Sequence, residues 1–349
     1  MYRLDFFIAT LFAYAAVLPA FAAPDGAKLY AQNCAACHGE SGAGGIGIPL
    51  ALPSFQATID DSYLSNTIRN GRPGRVMPAF PQLKEDELTA IVKHVRSWYQ
   101  GEIARFSTQT LKGNPVRGQQ LFATHCAACH GASGEGGKGT GVTFSRPREL
   151  PITAPALHNP GFLASARDEM LKKVMLEGRP GTPMVSFLKA GLSDSDINDI
   201  VSYVRSFEKQ PLSQSAEILS VETPVIVRES SYDLRTTVNN LKQAIASNNF
   251  FVGREQPLEY GLTTPEQANP RQVIVYFCNI SLLNQALSVD PRVGLFLPCR
   301  VTVTEHQGKV TLRSVNPEVL SKLFNNSELN ELCKQMRQNY INIMEEATL

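Results

Sequence analysis

The sequence predicts a multi-domain chain: two all-α domains of one design in tandem, followed by a small α+β domain. Three observations carry this. The chain has 349 residues, more than one ordinary domain holds, and 43% of them are apolar, enough for several cores. Between Gly26 and Phe207 the same blocks occur twice in the same order. Beyond Pro224 the apolar spacing changes, and alternating strand-like runs come between helix-like ones.

The elements follow in order. Arg3 precedes "FFIATLFAYAAVLPAFAA", a short apolar run ending in small residues. It is too short and wrongly flanked for a membrane span and reads as a secretory signal peptide over 1–22. Ala20-Phe21-Ala22 fits the small-x-small rule, so the mature chain is expected to start at Ala23; a cut one residue later would leave Pro24 after the scissile bond. An uncleaved signal anchor is the alternative. The expected location is the periplasm, with membrane association if the signal is retained.

"GAKLYAQNCAACHGESGAGG" (Gly26 to Gly45) then aligns with "GQQLFATHCAACHGASGEGG" (Gly118 to Gly137). "GRPGRVMPAF" (Gly71 to Phe80) aligns with "GRPGTPMVSF" (Gly178 to Phe187), and "DELTAIVKHVRSW" (Asp86 to Trp98) with "SDINDIVSYVRSF" (Ser195 to Phe207). Each copy reads as helix, long irregular loop, helix. The last helix carries Leu88, Ile91, Val92 and Val95, or Ile197, Ile200, Val201 and Val204, at helical spacing. The domains are placed at 23–105 and 110–210. A Gly/Pro-rich insert, Lys138 to Ile152, lengthens the second copy; its Arg146 and Arg148 would suit an anion, though a solvated loop is the simpler reading. Glu208 to Pro224 is a polar linker.

The third domain, 222–349, opens with a helix presenting Leu234, Val238, Leu241 and Ile245 on one face. "RQVIVYFCNI" is a strand, "SLLNQALSVDP" a helix, and "PCRVTVTEH" and "KVTLRSV" form a hairpin across Gln307-Gly308. Two more helices end the chain.

The chemistry lies in "CAACH", found at Cys34 to His38 and Cys126 to His130. Cys-x-x-Cys-His attaches a c-type haem. Cys34 and Cys37, or Cys126 and Cys129, sit three apart on a helical turn. There they reach both vinyl groups of one porphyrin, and His38 or His130 then lies under the iron. A thioredoxin-like dithiol needs a βαβ context that is absent. A four-cysteine zinc site would draw on both copies, yet each pair is followed at once by histidine and stays within its own repeat. Two covalently bound haems c are therefore expected.

Both copies resemble class I cytochrome c domains over roughly Ala23 to Phe207, which makes the expected architecture two all-α cytochrome c-like domains followed by a small α+β domain. The resemblance implies that a Gly and an aromatic four residues on pack against an aromatic of the last helix. Gly26 with Tyr30, and Gly118 with Phe122, fit this, and Tyr203 is the partner in copy two. Copy one departs with His94, which is expected to pack rather than to ligate. The resemblance also implies a carbonyl near Pro49 or Pro155 that accepts from the proximal imidazole. It makes Met77 and Met184, in Gly/Pro-rich loops, the sixth ligands; a thioether raises the reduction potential. Met170 and Met175 read as packing, and His125 and His158 as solvated or supporting.

From about Val225 to Pro317 the chain resembles the family called "domain of unknown function 302". The carriers are "SYDLRTTVNNLKQAI", "FCN", "ALSVDPRVGLFLPCRVTV" and "VNP", with Cys-Asn-Ile in place of that family's usual Cys-Asn-Pro. The resemblance implies an α+β domain, often dimeric, so a homodimer through it is one expectation. Cys278 and Cys299 read either as a redox bridge or as two packed thiols; Cys333 reads as packed.

A net charge of +1 gives no electrostatic case for nucleic acid. The leading expectation is a periplasmic carrier of single electrons between a redox donor and acceptor, with a membrane oxidase or reductase as a candidate partner. The alternatives are a dihaem oxidoreductase acting on a small sulfur or nitrogen compound, and a redox or ligand sensor using the third domain. An enzyme would need an iron with an open position, and the sequence offers two methionines and no convergent acid/base set.

Overall fold

The computed structural model describes residues 23–139, 153–213 and 216–349. The expected leader and the insert arginines Arg146 and Arg148 lie outside the described residues. The first copy runs α1 (Gly26–Asn33), α2 (Ala35–His38), α3 (Pro53–Ala57), α4 (Asp61–Asn70) and α5 (Glu85–Arg96). The second runs α6 (Pro115–His125), α7 (Ala127–His130), α8 (Pro160–Ser165), α9 (Asp168–Glu177) and α10 (Asp194–Ser206). The segment expected as an irregular loop, with a helix at Met170 and Met175 in the second copy, holds two helices in each copy. Local signals start three of them. Pro53 and Pro160 stand in first turns, and the Asp60 and Asn159 side chains accept from Tyr63 N at 2.7 Å and Phe162 N at 3.2 Å.

In both copies the first helix crosses the last at a glycine. A Cβ on Gly26 would stand 2.1 Å from the Ala90 carbonyl oxygen, and one on Gly118 would stand 2.0 Å from that of Asp199. One turn on, Tyr30 and Phe122 are fully buried against the last helix. Tyr30 lies 5.3 Å from His94 and 5.1 Å from Trp98 by ring centroid, and Phe122 lies 5.3 Å from Tyr203 and 6.0 Å from Phe207. His94 is therefore a packing residue.

The two copies do not stand apart: one continuous apolar core runs through both, from Tyr30 and Ile59 to Phe162, Ile200 and Phe207. Equivalent arginines lock the seam reciprocally. Arg72 donates to the Gly161 carbonyl at 2.9 Å and lies over the Phe162 ring at 5.6 Å. Arg179 donates to Thr58 Oγ1 at 3.2 Å and lies over Phe55 at 5.1 Å.

The rest of the chain is β1 (Val225–Ser230), α11 (Leu234–Ser247), β2 (Phe251–Pro257), β3 (Gln272–Cys278), α12 (Ile280–Val289), β4 (Cys299–His306), β5 (Lys309–Val315), α13 (Val319–Leu323) and α14 (Asn330–Glu346). The five strands form one antiparallel sheet ordered β1-β5-β4-β3-β2. α11 and α14 cover one face, with Leu241, Ile245, Ile343 and Met344 on Val275, Phe277, Val301 and Leu312. A second small core gathers Val293, Leu320, Phe324, Leu329 and Cys333. Cys278 and Cys299 are free thiols, and the register pairs Phe277, not Cys278, with Cys299. Among the described residues no helix is long and apolar enough to cross a membrane.

Candidate haem sites

Each cysteine string sits on a one-turn helix pinned to the helix before it. Cys34 N and Cys126 N donate to Tyr30 O and Phe122 O, both at 2.8 Å. The string then ends at Gly39 and Gly131, whose φ angles of 77° and 80° turn the chain away. His38 and His130 are buried, and each Nδ1 is committed to a main-chain carbonyl. His38 donates to Ile48 O at 2.9 Å and His130 to Pro155 O at 3.0 Å. Pro155 is the expected acceptor; in the first copy the acceptor is the residue before the expected Pro49. A glycine makes room there, because a Cβ on Gly47 would stand 2.6 Å from His38 Cε1. With Nδ1 as donor, Nε2 carries the lone pair a metal needs. Burial, together with the charge of Arg179, lowers the His130 pKa against the opposing Pro155 bond, which favours that neutral form.

In the first copy Cys34, Cys37, His38 and Met77 line one cavity of about 300 Å³. Phe55, Leu64, Ile68, Phe80, Ile91 and Val95 supply apolar walls. Thiols, imidazole and thioether on one apolar cavity are the donor set and surface that a covalently attached haem requires. The Met77 loop hangs from α4: Arg72 N donates to Met77 O at 2.8 Å, and Phe80 N to Ile68 O at 3.0 Å. The second copy repeats this, with Arg179 N to Met184 O at 2.8 Å and Phe187 N to Met175 O at 2.9 Å. Met184 packs on the same apolar core as Cys126. Phe187 meets His125, beside the cysteine string, at 6.2 Å between centroids.

The alternatives fit less well. Burial pushes the Cys34 thiol up to about 11 and Cys126 up to about 12, the reverse of what a reactive dithiol needs. Among the described residues no group of three or more His, Cys, Asp or Glu gathers as a metal site, so the two cysteine pairs do not meet. Met170 and Met175 are buried in the core. His158 stacks on Phe207 at 4.9 Å and its Nε2 meets Gln210 O at 3.2 Å, so it packs rather than ligates.

Sequence reasoning missed that the first cavity is walled by all three domains. Thr153, Pro155, Ala156 and Phe162 of the second copy line it, as do Arg292 and Glu328 of the C-terminal domain. The charges of Arg292 and Asp290 act on Cys37, whose pKa burial raises. No local sequence pattern marks these residues, since each lies at least fifty positions from the cysteine string.

Residues 21–95 match the family described as "Cytochrome C oxidase, cbb3-type, subunit III", and residues 115–208 the family described as "Cytochrome c". Residues 226–347 match "Domain of unknown function DUF302". The Cbb3-type cytochrome c oxidase subunit CcoP of Azospirillum sp. strain B510 is 29% identical over 53% of this chain and 62% of that protein. The subunit FixP of Bradyrhizobium diazoefficiens is 29% identical over 54% of this chain and 62% of that protein. The matching part thus spans less than two thirds of these relatives. Among solved structures, an uncharacterised DUF302 protein from Bacillus stearothermophilus matches at 19% identity and TM-score 0.33, over 36% of this chain and 98% of that one. Cytochrome c domains carry covalently bound haem c, and this chain is built of two cytochrome c domains followed by a DUF302 domain.

Proposed function

We propose that the chain is an exported dihaem c-type cytochrome that relays single electrons between redox proteins in the periplasm. The first haem would be held by Cys34, Cys37, His38 and Met77, the second by Cys126, Cys129, His130 and Met184. Bound there, each haem supplies reversible one-electron iron chemistry. The chain's own residues do the rest. Ile48 and Pro155 orient the His38 and His130 rings, Met77 and Met184 would supply the thioethers, and apolar side chains wall the first cavity.

One observation carries the reading. Pro155 lines the first cavity, and its own carbonyl accepts the Nδ1 proton of His130 at 3.0 Å. A single residue thus joins the wall of one site to the proximal ligand of the other, and a short contiguous path is what a relay requires. Were Met77 and Met184 both to ligate, neither haem would offer a position to a substrate, and the chemistry supplied would be outer-sphere electron transfer. The relatives are subunits of a cbb3-type oxidase, so a membrane oxidase of that kind is the proposed partner class.

Carbon monoxide tests this. The native ferrous protein is expected to show two low-spin haems and to bind none, and Met184→Ala to admit one equivalent at the second site only. Stoichiometric binding by the unmodified protein, or bis-histidine spectra, would replace the relay with the enzyme reading.

A further inference from the structure

The Met77 loop is held from outside its own domain. We propose that Asn325, on the turn between α13 and α14, is a positioning residue for the first haem site: it clamps the loop that presents Met77, and so makes closure of that iron depend on the docked C-terminal domain. This rests on Met77 being the ligand.

Asn325 stands in the left-handed region at φ 48°. Its Nδ2 donates to Arg72 O at 3.0 Å and to Met77 O at 2.9 Å, and its Oδ1 accepts from Gly74 N at 3.3 Å. One amide therefore ties both ends and the middle of the loop. Two residues on, Ser327 donates through both N and Oγ to Gly74 O at 3.0 Å. Glu328 pairs with Arg75 and accepts from Gly139 N at 2.6 Å, which carries the clamp across to the second copy. A Cβ on Gly74 would stand 2.6 Å from Ala216 O, so only glycine admits this approach.

The second copy shows why the first needs outside help. There Thr182 closes the loop by itself: its hydroxyl donates to Arg179 O at 2.8 Å and accepts from Met184 N at 3.1 Å. Pro183 then fixes the backbone before the methionine. The equivalent residues in copy one are Arg75 and Val76. Arg75 has no hydroxyl to turn inward and instead reaches Gly137 O at 2.6 Å. Val76 sits at φ 32°, a costly conformation for a β-branched residue that lasts only where surrounding contacts impose it. Asn325 takes from another domain the Arg72 carbonyl whose equivalent Thr182 takes within its own loop, while Met77 N stays bonded to Arg75 O.

The test uses the full haem-loaded chain. Asn325→Gly keeps the left-handed backbone and removes the amide; Ser327→Ala removes a lesser bond. Hydrogen exchange over residues 72–77 is expected to quicken about tenfold or more in Asn325→Gly, as loss of three ordinary hydrogen bonds gives, and less in Ser327→Ala. Asn325→Gly should also bind one equivalent of carbon monoxide, with the second haem still closed. Moving the second copy's loop into the first, Arg75→Thr with Val76→Pro, should restore slow exchange and exclude the gas although Asn325→Gly is present. Unaltered exchange in both single variants would overturn the clamp. Faster exchange without gas binding, with Met77→Ala equally silent in the spectra, would overturn the ligand reading instead.

Discussion

Replacing Arg72 with methionine should loosen the seam between the cytochrome domains without unfolding either. Arg72 gives the second copy two things, a charged-donor hydrogen bond to Gly161 O at 2.9 Å and a cation–π contact with Phe162 at 5.6 Å. Such a bond contributes about 1.5–3 kcal/mol and such a contact about 0.5–2 kcal/mol. Its bonds to Thr67 Oγ1 at 2.8 Å and Tyr63 OH at 3.1 Å stay within one copy and can pass to water. Methionine refills part of the volume, so the net loss should be about 2–3 kcal/mol. Over some 180 residues that lowers Tm by roughly 5–10 °C. The shared core and the reciprocal Arg179 contact remain, so the domains should stay folded and paired. Calorimetry of the haem-loaded protein, with Arg179→Met and the double variant beside it, reads this directly. A Tm within about 1 °C of the parent for both single variants would refute the arginine lock.

Other expectations follow from the same contacts. Gly118→Ala places a Cβ 2.0 Å from Asp199 O, so α6 and α10 must part; we expect a loss of about 1–3 kcal/mol or more by denaturant melting, and a lower yield of haem-loaded protein. Cys333 is 4% exposed and burial pushes its thiol up to about 12, so iodoacetamide at pH 8 should label Cys278 well before it in the native state. The same shift has a sign for stability. The unfolded thiol ionises near 9.0 while the folded one holds its proton to about 12, so its contribution is whole below pH 9 and is lost as pH rises between those values. Urea midpoints of the C-terminal domain across that range would show the fall. The denatured, unreduced, haem-loaded protein should titrate three free thiols, since Cys278, Cys299 and Cys333 are unbridged.

Much of this was legible because it is local. Cys-x-x-Cys-His is fixed by porphyrin geometry, the duplicated blocks by alignment of the chain with itself, and the closing helices by their apolar faces. The hairpin of β4 and β5 was readable from alternation and its Gln307-Gly308 turn. Edge strands β1 and β2 were not read: β1 runs into charge at Arg228 and Glu229, and β2 breaks its alternation with a register shift around Gly253. The helices between cysteine string and methionine loop were partly hidden by Pro and Gly, although Asp60 and Asn159 mark their caps. The joining of sites was beyond sequence reasoning altogether. Pro155 in the wall of the first cavity, the crossed arginines and the Asn325 clamp depend on chain segments meeting from far apart, and no spacing records that.

The central claim is that electrons pass within one chain between two closed haems. Delivering one electron per protein by pulse radiolysis and following its redistribution between the haems tests this most directly. Transfer within one chain gives a first-order rate that does not change with protein concentration. Redistribution that scales with concentration, or that fails to occur, would contradict it.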